Sequence, residues 1–176
     1  MTLKANFELM AEYNQWMNNS IYSAASQLSA SDLAENRGAF FGSIIGTLNH
    51  ILVGDTIWLK RFAEHPAQLK SLEHFRKVEL PNALDSILHE NFEELRQSRL
   101  KMDHLIREFS SELTDVVLLS SLSYKNTKGE PFKKNMGALV QHFFNHQTHH
   151  RGQVTTLLNQ VGIDVGVTDL LVRIPS

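Results

Sequence analysis

Four long stretches of this chain carry apolar residues at a 3.6-residue period, and that rhythm points to a helical fold. Residues 5–29 place Phe7, Met10, Met17, Ile21, Ala24 and Leu28 on one track. Residues 40–64 do the same with Phe41, Ile44, Leu48, Ile51, Leu52, Leu59 and Phe62. A third stripe follows Pro81: Leu84, Leu88, Asn91, Leu95, Met102, Leu105 and Phe109, with Asn82 as the expected N-cap. The fourth, residues 135–161, carries Met136, Leu139, Phe143, Val154, Leu157 and Val161, with Gly162 as its expected stop. The expectation is one all-α domain over residues 1–176, built as a four-helix bundle.

The connections refine it. Residues 29–38, SASDLAENRG, are turn formers between the first two helices. The 17 residues of 65–81 are long for a hairpin and allow a crossover, so the second and third helices could run parallel. Residues 115–134 are β-prone around the turn NTKGE and predict a short β-hairpin or flap over one mouth of the bundle. The tail from Ile163 reads as extended, packing back along the bundle. The charged faces of the third helix, which carry Glu93, Glu94, Arg96, Arg99, Lys101 and Arg107, read as solvated, and His89 and His104 as surface residues.

Composition removes several function classes. There is no cysteine, so a metal could be held only by His, Asp or Glu. The formal net charge is −2 and no basic stripe exists, which argues against nucleic acid as a partner. No apolar run approaches membrane length, and MTLKANFELMAEYN has no signal-peptide core. The reading is a soluble cytoplasmic protein acting on a small molecule.

Two polar residues interrupt the apolar tracks. Asn14, flanked by Tyr13 and Trp16, either ties helices together or faces a polar cavity. Asp55, beside Trp58, needs a partner: it orients an imidazole, or it bonds to Trp58 or Tyr13 within the core. Tyr13, Asn14, Trp16 and Asp55 are therefore candidate pocket residues.

Residues 141–153, QHFFNHQTHHRGQ, hold four of the nine histidines. His146 and His150, spaced i, i+4, lie one turn apart on the core-facing side of the helix. His142 falls at the edge and His149 turns away. Such a pair can grip one metal ion if a third ligand comes from elsewhere. His50 sits among the small residues Ser43, Gly46, Thr47 and Gly54, which leave room for another helix or a ligand to approach closely. It lies about 130° from the centre of its helix's apolar arc, so periodicity does not direct it inward.

The pieces YNQWMNNSIY (13–22), SIIGTLNHILVGDTIWLKRF (43–62), YKNTKGE (124–130) and NHQTHHRGQVTTLLNQVG (145–162) together resemble the DinB family, whose name records induction by DNA damage. The resemblance implies an up-down-down-up four-helix bundle with a long crossover between helices two and three. It also implies metal-binding histidines at His50, His146 and His150.

Three imidazoles would leave room for water or substrate on the metal. Zinc or nickel suits them best, with iron and copper also compatible. A zincin would carry a general-base Glu after the first histidine of the pair, but Gln147 stands there. The resemblance implies instead a thiol-dependent S-transferase or isomerase, using a low-molecular-weight thiol that Arg151 and Gln153 could help hold. A surface or dimer-contact role for Arg151 is the other reading. The alternatives in function are a metal-dependent hydrolase and a stress-response binding protein whose metal is mainly structural. The small-residue face of the second helix and the apolar perimeter suggest a homodimer.

Overall fold

The computed structural model describes residues 2–175. Four long helices dominate: α1 (Leu3–Ala25), α3 (Ile44–Ala63), α4 (Phe92–Glu112) and α6 (Met136–Gln160). Two short ones, α2 (Ala30–Ala34) and α5 (Asp115–Leu119), and a two-stranded sheet complete the regular structure, along with 3-10 turns at Lys70–Lys77 and Leu170–Arg173. Helix α1 packs against α4 and α6, and α3 packs against α6 and α4. No helix among the described residues is long and apolar enough to cross a membrane.

Caps explain where the helices begin, and where expectation and structure part. Helix α1 ends at Ala25, not 29, because Ser29 instead caps α2 in a capping box with Asp32. Helix α3 begins after Ser43, whose side chain accepts from the Gly46 N–H, so Phe41 lies before the helix and not on its apolar arc. The third long helix starts nine residues later than expected. Asn91, not Asn82, is its cap, accepting from the Glu94 N–H, with Glu93 and Glu94 favouring the helix's N-terminal end. Leu84 and Leu88 consequently lie outside the helix and are largely exposed.

The hairpin is shorter than expected. Thr114 caps one helical turn, α5, where the β-prone residues Val116 to Leu119 suggested strand. Strands β1 (Ser121–Lys125) and β2 (Pro131–Asn135) pair antiparallel, with Tyr124 opposite Phe132. Gly129, at φ +82°, makes the turn that a side chain would strain. Asn135 caps α6, and Gly162, at φ +81°, ends it in the left-handed region. The tail returns to α1, where the Tyr13 hydroxyl donates to the Thr168 carbonyl at 2.6 Å.

The core is aromatic. Phe62 of α3 stacks on Phe109 of α4 and meets Phe143 of α6 edge-on, while Phe7 of α1 stacks on Phe144. All five rings are buried, each contributing about 1.5–3 kcal/mol.

One polar layer crosses this core. Arg99 of α4 lies between Asp55 of α3 at 2.5 Å and Asp103 of its own helix at 2.9 Å. Asp103 also accepts from Asn14 and Asn18 of α1. Gln147 of α6 donates to the other Asp55 oxygen, and Arg151 donates to Asn14. All seven side chains are buried. Arg99 is thus not the solvated residue expected, and Arg151 is buried against Asn14 rather than held at the surface. Burial alone would lower the Arg99 pKa, but Asp103 and Asp55 raise it above the ordinary arginine value.

Candidate metal centre

Helix α6 supplies His146 and His150, whose ring centroids are 4.5 Å apart. Helix α3 brings His50 to meet them, and its ring is buried. The Nε2 atom of His50 lies 3.2 Å from that of His146 and 3.1 Å from that of His150. Nitrogens about 2.0–2.1 Å from a tetrahedral zinc stand about 3.3–3.4 Å from one another. The cluster therefore has dimensions that fit a metal ion, and these three residues form a group able to hold one.

Hydrogen bonding fixes which nitrogens are free. His50 Nδ1 is 2.7 Å from the Leu84 carbonyl, which can only accept, so Nδ1 carries the proton. His150 Nδ1 donates likewise to Gln153 Oε1 at 2.8 Å. Both Nε2 atoms are then bare lone pairs facing each other at 3.1 Å. Lone pairs at that range repel unless a cation lies between them or one ring is protonated. Protonation is disfavoured. Burial lowers the pKa of His50 and of His150, and burial, then His150 and His50, lower that of His146 to about 3. The donor set is three neutral imidazoles, as metal ligation requires.

Neighbours hold the rings. Phe41, on the loop before α3, stacks on His50 at 3.7 Å and meets His150 edge-on. Asn49, beside His50, accepts from the Leu88 and His89 N–H groups at 2.9 and 3.0 Å and donates to the His89 carbonyl. It thereby fastens to α3 the segment whose Leu84 carbonyl orients His50. The His146 ring lies against Gly54, where a Cβ would stand 2.6 Å from Cε1. Gly54→Ala should therefore displace the ring. We expect zinc affinity to fall about 10–100-fold, the range seen for altered supporting residues. Helix content should not suffer, because alanine favours a helix by about 1 kcal/mol over glycine. Competition with a chromogenic chelator, beside circular dichroism, checks both parts.

The other expected pocket residues lie elsewhere. Asp55 bonds to Arg99 and Gln147, not to an imidazole, Trp58 or Tyr13. Asn14 ties α1 to α4 and α6. Tyr13 packs between Trp16 and Arg151. None of the four lines the cavity beside the histidines. That cavity, of about 380 Å³, is walled by His50, Gly54, Trp58, Arg61, Tyr124 and His146, among others. His142 stands at its edge against Trp58, and His149 is exposed. Asn49 and Arg61 went unremarked in the sequence, and Phe41 was read there only as part of an apolar arc. Asn49 alone gave a signal there, as an amide directly before a candidate ligand.

A mostly helical protein, with a small hairpin and a three-histidine cluster beside a cavity, is the class that fold and site define. The DinB family model matches residues 1–175, and the chain belongs to the DinB family. The chain is also similar to Protein DinB of Bacillus subtilis (strain 168), with 24% identity over 166 residues, covering 90% of this chain and 87% of that one. No solved structure gives a significant match.

Proposed function

We propose that this protein is a metal-dependent enzyme of the thiol-dependent S-transferase or isomerase type, built as one up-down-down-up four-helix-bundle domain. The observation that carries the reading is the convergence of three Nε2 atoms, two of them stripped of protons by bonds at Nδ1, beside an accessible cavity. A sealed, fully coordinated site would have favoured a structural metal instead.

A divalent ion held there would supply Lewis acidity, bringing the pKa of a bound thiol or water towards neutrality. Zinc or nickel suits three imidazoles best. The chain's own residues favour thiol over water as the nucleophile. Gln147, where a hydrolase of the zincin type carries a base, is buried and turned to Asp55. A thiol, already more acidic than water, needs no such base once its proton is lost. The Leu84 carbonyl and Gln153 hold the His50 and His150 rings in one tautomer, and Phe41 covers the cluster on one side.

The test is a screen of small thiols against electrophiles on zinc- and nickel-loaded protein, with His146→Ala as control. Turnover that requires both thiol and metal is expected. Ester hydrolysis without thiol would favour a hydrolase, and loss of thermal stability on metal removal, with no turnover, a structural metal. We also propose a homodimer. The small residues of α3 are buried within the chain and cannot form its interface, but Phe40, Val116 and Leu119 are exposed apolar side chains that could. A monomeric mass by light scattering at micromolar concentration would count against it.

A further inference from the structure

The cavity beside the histidines continues outward. A second hollow, of about 340 Å³, shares Ile57, Arg61, Leu84, Tyr124, Asn126 and Thr127 with the first, so the two form one cleft between α3, the hairpin and the segment that follows Pro81. Apolar groups form much of its wall, and Arg61 stands where the two hollows meet.

Arg61 is held but unpaired. Its guanidinium lies 4.6 Å from the centre of the Trp58 ring and 5.1 Å from that of Tyr124. Those contacts fix the plane of the group and leave its N–H edge free, since cation–π contact uses the face. Among the described residues Arg61 has no ion pair and no side-chain hydrogen bond. Three lysines share the wall, Lys60, Lys125 and Lys134. Lys134 lies on the cleft wall, while Lys60, at its outer end, donates to the Phe75, Arg76 and Val78 carbonyls. Among the described residues Glu64 is the one acidic side chain on the wall, and it is exposed at the outer end.

The guanidinium is half-buried, and its N–H groups, engaged by no protein acceptor, face the cleft and are open to a ligand. A fixed fork of N–H donors matches a planar carboxylate in bidentate fashion. The aromatic and aliphatic walls suit a flat or aliphatic body. We infer that the cleft binds a small organic carboxylate, with its anionic group on Arg61 and its other end towards His50 and His146. The position of the reacting end rests on the proposed metal function, but the carboxylate site does not.

The test therefore begins with metal-free, full-length protein. The probes are 3-phenylpropionate, its neutral amide 3-phenylpropanamide, and phenyl phosphate. Binding is followed through the Trp58 indole N–H signal in heteronuclear spectra, assigned with Trp16→Phe. The carboxylate should bind at least tenfold tighter than the amide and move the Trp58 signal. Arg61→Met, which keeps much of the aliphatic stem, should abolish that preference. Equal binding of acid and amide to the unaltered protein overturns the inference without recourse to any variant. So does an unchanged preference in Arg61→Met, and so does tenfold tighter binding of the phosphate than of the carboxylate. Zinc content of the two proteins is measured in parallel. Absence of zinc would count against the metal reading alone, and absence of a carboxylate preference against this inference alone.

Discussion

Protein carrying His146→Ala and His150→Ala should retain only trace zinc or nickel after loading and desalting, whereas the unaltered chain should retain about one ion. The expectation follows from ligand number. Three imidazoles with a preset spacing can hold a divalent ion tightly, but His50 alone offers one nitrogen, and one imidazole in water competes poorly with solvent. The cost of the change to the fold is expected to be small by comparison. Both rings are only partly buried, and removing them relieves the repulsion of lone pairs 3.1–3.2 Å apart. Thermal melts should therefore separate two effects: the metal-free double variant melts near or above the metal-free parent, while only the parent gains stability from metal. Equal and near-zero metal in both proteins would refute the site.

Arg99→Met should destabilise the protein by about 3–5 kcal/mol, the usual result of removing one partner from a buried ion pair. Arg99 is 2% exposed and lies between Asp55 and Asp103, which are just as buried. Without the guanidinium the two carboxylates face each other in the core and must take up protons or admit water. Methionine fills much of the volume but offers no donor. Asn14 and Asn18 still satisfy one oxygen of Asp103, and Gln147 one of Asp55, which keeps the loss from rising further. Since domains are stable by only about 5–15 kcal/mol, such a loss is a large share of the total. Urea unfolding followed by circular dichroism measures it, and a change below about 1 kcal/mol would mean that the layer adapts freely.

These two sites differ in how legible they are in the sequence. His146 and His150 face the same way because of helix geometry, which is local, so spacing alone reveals them. His50 obeys no such rule. Its position off the apolar arc becomes interior only because the segment around Leu84 and Phe41 packs over that side of α3, a contact between distant parts of the chain. Family resemblance supplied what periodicity could not. The polar layer shows the same division. Asp55 on an apolar arc announces that a cation or donor must meet it, but which of the many arginines does so depends on helix packing, and Arg99 looked no different from its solvated neighbours. The false start at Asn82 has a similar origin. Asn82 and Asn91 are both good caps with acid in the turn that follows, Asp85 after one and Glu93 and Glu94 after the other, but the segment before Asn91 is fastened to Asn49 through long-range bonds that no local signal shows.

That fastening has a thermodynamic consequence. The segment from Leu84 to His89 is held to α3 by two consecutive side chains, and one of them, His50, is also a member of the cluster. If the segment lifts, His50 loses the acceptor that keeps its proton on Nδ1, and its Nε2 is no longer reserved for a ligand. Occupation of the cluster must therefore favour the fastened segment, and by reciprocity a fastened segment must favour occupation to the same degree. Leu84 also forms part of the cleft wall, so a molecule that settles there bears on the same equilibrium. Ligand in the cleft and an ion at the cluster would then be coupled even without touching each other, through six residues whose apolar spacing reads as the start of a helix.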